Sequence, residues 1–477
     1  MRLNSQTTML LLVLCCLFFG ALASKFDSEH SLSISRYYNG TIISSNSTNF
    51  TASHSLIRGV ALGGWLLLEP YITPSLFDEE IFELIGNGSI PVDEYNYCLT
   101  LGKENATERL IAHWDTFYNE SDFEDIENLG LNLVRIPLGY WAFKVLDDDP
   151  YVTGYQEAYL DKAIEWAEKY NLKVWIDLHG APGGQNGFDN SGLRDHIDWL
   201  SSEKNINLTL QVLDYIFSKY SGSKYSETVI GIEILNEPMG SKLNLNTIRN
   251  FYYAAYNIKT KYNYQNHFVI HDAFKGIRYW DDYFPRNITQ NVIIDRHLYH
   301  VFGSSLNYDV EEHIASVNQS TYYIVEESKN TIGVVGEWSA ALTDCAFWLN
   351  GVDRGARYEG KYDNFEKIGS CKNIDNIDKW SDQKKMDTRR LVEAQLDYYE
   401  KTGGWIFWCY KTEETIEWDM SRLVEYELFP QPLTHRLYNS TFNYTSNSSA
   451  FSLHGSLNEK KYWGFTLLLL YSIVILF

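Results

Sequence analysis

Short apolar runs alternate with longer amphipathic stretches through the middle of the chain. Several of these runs are apolar at consecutive positions, as expected for parallel strands that are covered on both faces. The predicted strands are residues 58–62, 133–137, 174–179, 230–237, 267–272, 292–299, 334–338 and 405–410. The predicted helices between them include residues 159–170, 208–219, 247–261 and 386–401. Strands that alternate with helices in this number predict an α/β protein, a (β/α)8 TIM barrel with extended loops.

A doubly wound open sheet is the alternative fold, but no Gly-x-Gly-x-x-Gly motif follows a predicted strand. No linker or repeat interrupts residues 56–438, which we predict to be one domain. Residues 24–55 are rich in Ser, Asn and Thr and are expected to form a flexible, glycosylated lead-in. Residues 439–461 have the same composition and are expected to form a stalk.

Both ends of the chain resemble processing signals. Residues 1–23 combine a basic start, an apolar run and the sequence Ala21-Leu22-Ala23, which predicts a secretory signal peptide. The hydrophobic tail at 462–477 is too short for a membrane span, which needs about 20 apolar residues. It follows small residues at 447–450 and a polar spacer, a pattern typical of a glycosylphosphatidylinositol (GPI) attachment signal. We therefore expect a secreted protein at the cell surface or wall, GPI-anchored to the plasma membrane; the alternatives are a weak tail anchor and a fortuitous apolar end.

Glycosylation triplets and cysteines agree with a secreted protein. Asn-x-Ser/Thr triplets recur along the chain, and this density makes a glycosylated monomer the default expectation. The cysteines outside the signal peptide are Cys98, Cys345, Cys371 and Cys409. In an oxidising compartment they allow three pairings, and their spacing does not choose among them.

Composition narrows the classes of ligand. The net charge of −22 argues against nucleic acid as a partner, because phosphates would be repelled. Fourteen Trp and 35 Tyr suit carbohydrate, because an aromatic face stacks on a sugar ring while a polar tip can donate a hydrogen bond. No group of His, Cys or Asp has metal-ligand spacing, so neither a metal nor a cofactor is expected.

Polar side chains stand at the ends of most predicted strands. They are Arg135, His179, Asn236, Glu237, His297, Tyr299, Glu337 and Trp408. In a closed barrel these ends form one ring around a pocket, where active sites of such barrels lie. A ring of this polarity is costly to bury without a purpose. A single Glu at the end of a strand is more often a surface carboxylate. The prediction of an active site therefore depends on the joint placement of all these side chains.

Two of these side chains, Glu237 and Glu337, are expected to face each other across the pocket. A pair of carboxyl groups roughly 5 Å apart is what a retaining glycosidase needs, one as nucleophile and one as acid and then base. Arg135 could keep Glu337 ionised, because a nearby cation lowers the pKa of a carboxyl group. The charge of Glu337 would in turn raise the pKa of Glu237, which must be protonated to act as the acid.

Longer stretches of the chain resemble the fungal exo-β-1,3-glucanases of glycoside hydrolase family 5. They are Arg58-Gly-Val-Ala-Leu-Gly-Gly-Trp65, Leu68-Glu-Pro-Tyr71, Leu133-Val-Arg-Ile-Pro137, Asp177-Leu-His-Gly-Ala-Pro182, Gln185-Asn-Gly-Phe-Asp-Asn190, Asn236-Glu-Pro238, His297-Leu-Tyr299, Val335-Gly-Glu-Trp338 and Gly404-Trp-Ile-Phe-Trp408. Asn-Glu-Pro alone marks the broader clan, whereas the runs ending at Tyr71 and Asn190 are more specific. The chain departs from the pattern at Tyr410, where relatives often have tryptophan, and the relatives' disulfide pairing cannot be carried over.

This resemblance implies a retaining exo-β-1,3-glucosidase that releases glucose from β-glucan and that can also transfer it. Glu237 would be the acid/base and Glu337 the nucleophile. The innermost sugar subsite would comprise Arg135, His179, Asn236, His297, Tyr299 and Trp408. The groups that close the pocket behind the terminal glucose would be Glu69, Tyr71 and Asn190. Phe188 and Phe302 would hold the next glucose at the entrance. Alternatives are a related enzyme acting on β-1,6-glucan or a glucosylated lipid, and a non-catalytic glucan-binding wall protein.

Overall fold

The computed structural model describes residues 56–78, 82, 89–262, 266–281, 283–284, 291–328 and 331–438. The predicted signal peptide, lead-in, stalk and hydrophobic tail (1–23, 24–55, 439–461 and 462–477) lie outside these ranges. None of the helices in the described ranges combines the length and apolar character that crossing a bilayer requires.

Parallel strands close into a single barrel. They are β1 (Ile57–Ala61), β2 (Leu133–Gly139), β3 (Lys173–Gly180), β4 (Val229–Glu233), β5 (His267–His271), β6 (Val292–His297), β7 (Ile332–Glu337) and β8 (Gly404–Phe407). Each strand pairs with its neighbours in sequence, and β8 closes the barrel on β1 with Gly404 opposite Ile57. The predicted (β/α)8 barrel is confirmed, and the open sheet is wrong.

Helices separate most of the strands and cover the outside of the barrel. Within the described ranges they are α1 (Glu94–Thr116), α2 (Glu120–Asn128), α3 (Gln156–Lys169), α4 (Glu203–Tyr220), α5 (Leu245–Thr260), α6 (Arg278–Asp281), α7 (Val310–Glu327), α8 (Asp382–Tyr399) and α9 (Met420–Glu425). Short 3₁₀ helices lie at Pro74–Phe77, Tyr140–Ala142, Asp189–Ser191, Trp199–Ser201, Gly303–Asn307 and Ile377–Lys379.

The four helices predicted above correspond to α3, α4, α5 and α8, but each begins two to five residues earlier than predicted. Polar caps account for three of these early starts. The side chains of Ser202, Asn244 and Ser381 accept hydrogen bonds from backbone N–H groups in the first turns of α4, α5 and α8. Such caps satisfy donors that have no partner within the helix, so a helix can begin before its apolar spacing does.

Six strands end earlier than predicted, and three of them do so by two residues or more, at Glu233, His297 and Phe407. Asn236, Glu237, Tyr299 and Trp408 therefore lie in the segments that follow the strands rather than in the ladders. The backbone of Glu237 shows why, because its φ of +45° is incompatible with an extended strand. The side chains still converge at the C-terminal face of the barrel.

The pairing of β6 with β7 shifts register at two site residues, His297 and Glu337. Arg296 pairs with Val335, but the next residue, His297, pairs with Glu337, so that Gly336 is skipped. A Cβ atom at Gly336 would overlap the carboxylate of Asp295. The absence of a side chain at this position makes room for an acidic group inside the barrel wall.

Aromatic side chains fill much of the space between the barrel and its helices. Trp338, the residue after β7, lies edge-on to Trp405 of β8 with ring centroids 5.5 Å apart, and to Phe407 at 4.9 Å. All three side chains are fully buried. The heavy use of tryptophan is thus largely structural, since nine tryptophan side chains in the described ranges are fully buried.

One disulfide joins Cys345 to Cys371, with the Cα atoms 5.1 Å apart. Cys98 and Cys409 are buried and carry no disulfide within the described part of the chain. The structure thus selects one pair where the sequence left three pairings open. The bond closes a segment of the long loop between β7 and α8.

Candidate active site

Arg135 lies at the centre of the site, on β2, and is fully buried. Its Nη1 donates to Oε1 of Glu337 at 2.6 Å. Its Nη2 donates to Oε2 of Glu233 and to Oδ1 of Asn236, both at 2.9 Å. A buried guanidinium needs this many partners, because an unpaired charge in the interior is strongly destabilising.

A closed ring of polar contacts surrounds this guanidinium. Asn236 accepts from Arg135 through its oxygen, so its amide nitrogen faces Nε2 of His179 at 3.3 Å. The other ring nitrogen of His179 lies 2.6 Å from Oδ2 of Asp177, which is itself 3.1 Å from Nη2 of Arg135. These contacts fix the orientation of the His179 ring, which stacks on Trp408 with centroids 5.5 Å apart.

Three buried carboxyl groups of this cluster, Asp177, Glu233 and Asp295, were not among the predicted site residues. Burial opposes ionisation of Asp177, but Arg135 and His179 together outweigh it, and the pKa of Asp177 is lowered. Burial dominates at Glu233 and raises its pKa well above the usual range. Glu233 also accepts from the indole N–H of Trp175 at 3.2 Å. The sequence signal that would have revealed these groups is a charged residue inside an otherwise apolar strand run.

His297 lies between the two glutamates. Its Nδ1 is 2.8 Å from Oε1 of Glu237 and 3.2 Å from Oε2 of Glu337. Because both distances share this nitrogen, the two carboxylate oxygens lie at most about 6 Å apart, near the roughly 5 Å gap of a retaining pair. Tyr299 donates to Oε2 of Glu337 at 2.7 Å, and Nε2 of His297 faces Oδ2 of Asp295 at 3.3 Å.

The protonation pattern differs from the one predicted. Burial opposes a charge on His297, yet Glu337 and Asp295 outweigh it and raise its pKa well above the usual range. Burial acts to raise the pKa of Glu237, but the hydrogen bond and the positive charge of His297 reverse this, and the pKa of Glu237 is lowered. Burial raises the pKa of Glu337, and His297 and Arg135 only partly offset it. The prediction that Glu337 raises the pKa of Glu237 is therefore wrong, because a cation lies between them.

The residues predicted to close the pocket, Glu69, Tyr71 and Asn190, each interact with another side chain of the site. The indole N–H of Trp408 donates to the hydroxyl group of Tyr71. Asn190 places its amide nitrogen 3.4 Å from Oε2 of Glu237. Glu69 is buried, burial raises its pKa well above the usual range, and its Oε1 has no hydrogen-bond partner among the described residues. An unpartnered buried acceptor in this position suits a ligand hydroxyl group.

The two predicted entrance residues lie on segments that reach different glutamates. The backbone N–H of Phe188 donates to Oδ1 of Asn186, whose amide nitrogen lies 3.4 Å from Glu237. The ring of Phe302 lies 6.2 Å from that of Tyr299, the residue that donates to the other glutamate. Both phenylalanines are half-buried. Both residues therefore lie near the site, and their contact with a second glucose stays a prediction.

Folding also brings together two groups of side chains whose ligand atoms lie within 4.8 Å of one another. The groups are Glu237 with His271 and His297, and Glu233 with Asp295 and His297. Sequence spacing did not reveal them, because their members come from different strands. Arg135 is only 2.9 Å from Glu233 and 3.9 Å from Asp295, so a cation already neutralises the second group. The pKa of His297 is raised, which opposes metal binding through its nitrogen.

Comparison with protein families decides the class of enzyme. A family model described as "Cellulase (glycosyl hydrolase family 5)" matches residues 100–356, more than half of the chain. The chain belongs to glycosyl hydrolase family 5. Its eight-stranded barrel and two acidic groups at the C-terminal face are therefore those of a glycoside hydrolase.

Relatives of this family 5 enzyme match it over most of their length. A protein of Lachancea kluyveri named "Glucan 1,3-beta-glucosidase" is 52% identical over 393 residues, covering 81% of this chain and 89% of the relative. A Saccharomyces cerevisiae protein named "Sporulation-specific glucan 1,3-beta-glucosidase" is 51% identical, covering 82% and 89%. Among solved structures, the rutinosidase from Aspergillus niger superposes with a TM-score of 0.62 at 20% identity, covering 79% of this chain and 99% of that one. This last likeness shows the barrel fold alone.

Proposed function

We propose that the protein is a retaining exo-β-1,3-glucosidase that releases glucose from the non-reducing ends of β-1,3-glucan. The main support for the proposal is that the carboxylates of Glu237 and Glu337 both lie within hydrogen-bond distance of the His297 Nδ1 atom. A gap of this size leaves no room for the water molecule of an inverting mechanism, which needs roughly 6.5–9.5 Å. The names of the two glucan 1,3-beta-glucosidases that are about half identical to this chain support the β-1,3 linkage.

Glu337 is proposed as the nucleophile and Glu237 as the acid/base. A carboxylate oxygen of Glu337 attacks the anomeric carbon while Glu237 gives a proton to the departing glycosidic oxygen, forming a glucosyl–enzyme ester. Glu237 then takes a proton from water, which attacks the same carbon and releases glucose with Glu337 as the carboxylate. Attack by a glucan hydroxyl group in place of water would give transglycosylation.

The acid step needs a proton at Glu237, and His297 provides one. His297 lies 2.8 Å from Oε1 of Glu237 and carries a raised pKa. Transfer along this hydrogen bond would leave neutral His297 and protonated Glu237. Arg135 and Tyr299 would meanwhile hold Glu337 through one oxygen each, at 2.6 and 2.7 Å. These two donors favour the carboxylate needed for attack and oppose the rise in the pKa of Glu337 that burial causes.

Exo action is proposed from the buried polar groups behind the glutamates. Glu69, Tyr71 and Asn190 would bind hydroxyl groups of the terminal glucose, with His179, Asn236 and Trp408 around the reacting ring. The Oε1 atom of Glu69 supports this, because it has no hydrogen-bond partner among the described residues and a ligand hydroxyl group would satisfy it. Phe188 and Phe302 would contact the next glucose at the entrance.

Covalent labelling tests the catalytic roles. An activated 2-deoxy-2-fluoro-β-glucoside should add one fluoroglucosyl group to Glu337, found by mass spectrometry of peptides, and Glu337→Gln should take up none. Glu237→Ala should lose far more activity on laminaribiose than on a 2,4-dinitrophenyl glucoside, because the latter leaving group needs no proton. A label on another residue would overturn the assignment.

Product analysis tests the linkage and the alternatives. Laminarin should release β-glucose as the first product, observed by NMR, and pustulan, a β-1,6-glucan, should react far more slowly. Equal or faster release from pustulan or from a glucosylated lipid would instead favour the related activity. Binding of laminarin without any turnover would favour a glucan-binding wall protein.

We further propose a secreted, glycosylated monomer that is GPI-anchored at the outer face of the plasma membrane. The proposal is supported by the sequence signals at 1–23 and 439–477, which lie outside the described residues. Asn105, Asn119 and Asn318 of the glycosylation triplets are exposed. Phosphatidylinositol-specific phospholipase C should release the protein from intact cells. Retention after this treatment would contradict the anchor.

A further inference from the structure

A further aromatic side chain, more exposed than Phe188 and Phe302, lies on a loop next to the site. Phe347 belongs to the loop between β7 and α8, and 48% of its surface is exposed. One face of its ring stacks on Trp348, with centroids 4.3 Å apart and the planes at 25°. Trp348 in turn packs against the apolar cluster that contains Tyr71 and Trp408 of the pocket. The exposed part of the Phe347 side chain is accessible to a ligand.

Covalent and polar contacts hold this loop in place. Cys345, two residues before Phe347, is bonded to Cys371. Three residues after it, Asn350 donates to Oδ2 of Asp344 at 3.0 Å and accepts from Arg357 at 2.6 Å. The ring of Phe347 is therefore presented by an ordered backbone, so little conformational entropy would be lost when a ligand contacts it.

The same loop contacts both segments that carry the predicted entrance residues. The guanidinium of Arg357 lies 5.9 Å from the ring of Phe302. Arg354 forms an ion pair with Asp195 at 2.6 Å, and Arg194 donates to the backbone oxygen of Val352 at 2.8 Å. Residues 194 and 195 follow the segment of Phe188. The loop thus contacts the chain near both Phe188 and Phe302.

We infer that Phe347 forms an outer subsite, where its exposed side chain stacks on a glucose unit of the glucan beyond the unit next to the entrance. The inference rests on the proposed function. The C–H face of a glucose ring matches a flat apolar surface, and phenylalanine offers such a surface without a polar tip. A single exposed apolar residue is common on protein surfaces. Phe347 differs because its ring stacks on Trp348, its loop is held by the disulfide, and this loop contacts the chain near Phe188 and Phe302.

Oligosaccharides of two lengths test this subsite. Laminaribiose ends at the entrance, whereas laminarihexaose extends past it. The ratio of kcat/KM for the hexaose to that for the biose should fall about 3- to 10-fold in Phe347→Ala, the size expected for one aromatic contact. Phe347→Trp should keep or increase the ratio, because it restores a stacking surface. A melting curve for each variant confirms that it is folded.

Tyr322→Ala serves as the matched control. Tyr322 is 60% exposed, on α7 near the end of that helix, away from the C-terminal face of the barrel. Its loss should leave the ratio unchanged. An active wild type with the same ratio in Phe347→Ala would overturn the subsite alone. A wild type that releases no glucose from either oligosaccharide would overturn the proposed function and the subsite together.

Discussion

Nη1 of Arg135 donates to Oε1 of Glu337 at 2.6 Å and thereby links β2 to β7, which are not neighbours in the barrel. The same guanidinium binds Glu233 and Asn236. The planar guanidinium of arginine can donate hydrogen bonds to all these partners at once, whereas the ammonium group of lysine acts as a single point charge. The position of the proposed nucleophile thus depends on a side chain from the opposite wall of the pocket.

Arg135→Lys should lower kcat/KM on an aryl β-glucoside at least about 100-fold, because even a small displacement of a reacting group has this effect. It should also lower the free energy of unfolding by roughly 1–3 kcal/mol, because buried acceptors lose their donors. The control is Arg58→Lys, which alters only a partly exposed pair with Glu400. Activity within about threefold of wild type in Arg135→Lys would contradict the central role of this guanidinium.

Gly336→Ala should destabilise the protein and reduce its activity. The new Cβ would overlap the Asp295 carboxylate, which lies 3.3 Å from His297 and has little room to move. Overpacking of this kind costs about 1–3 kcal/mol. Urea unfolding midpoints give the stability, and laminaribiose hydrolysis gives the activity.

Gly222→Ala is the matched control for this overlap. The nearest atom to its Cβ would be the backbone oxygen of Lys219 at 3.6 Å, an ordinary contact. It should leave the midpoint unchanged or raise it slightly, because alanine restricts the unfolded chain. If both variants unfold at the same urea concentration, the space beside Asp295 is not tight.

The stability of the protein should fall in acid partly through His113. This side chain is buried, its Nε2 lies 2.8 Å from the backbone oxygen of Gly64, and burial lowers its pKa to about 4. The unfolded chain takes up this proton near pH 6.5. Stability from the neutral ring is therefore complete above about pH 6.5 and is lost as the pH falls to about 4, by up to about 3 kcal/mol.

His113→Gln keeps an N–H donor but does not titrate, so it should reduce the loss of stability between pH 7 and pH 4.5. Urea midpoints at the two pH values measure this loss. His435 is exposed, and His435→Gln should leave the difference between the two midpoints as in wild type. An equal loss in His113→Gln and wild type would show that other groups control acid unfolding.

Removal of the disulfide should destabilise the loop that carries Phe347. The bond spans 26 residues, and a crosslink of this length contributes about 3 kcal/mol in the chain-entropy account. The double variant Cys345→Ser, Cys371→Ser should therefore have a lower melting temperature than wild type. Wild type with its disulfide reduced should melt at the same temperature as the double variant. Peptide mapping without reduction should show alkylation at Cys98 and Cys409 only. Alkylation at Cys345 under these conditions would contradict the pairing.

Much of the fold followed from local patterns in the sequence. Apolar runs of strand length, separated by amphipathic stretches, predicted the order of the barrel strands because each strand is buried on both faces. Glu237 and Glu337 were identified because each follows such a run. The helix starts were less accurate, since capping by residues such as Ser202 lies outside the apolar spacing.

The sequence alone determined the strand-and-helix order, the family resemblance and the two candidate acidic groups, because these depend on neighbouring residues. Only the tertiary structure decided which cysteines pair, that Asp295 lies beside His297, and that His297 reverses the expected pKa shift of Glu237. The physical reason is that electrostatic interactions in a buried site depend on distances of a few ångströms between residues far apart in the chain. The separation of two residues along the chain does not give the distance between them in the folded barrel.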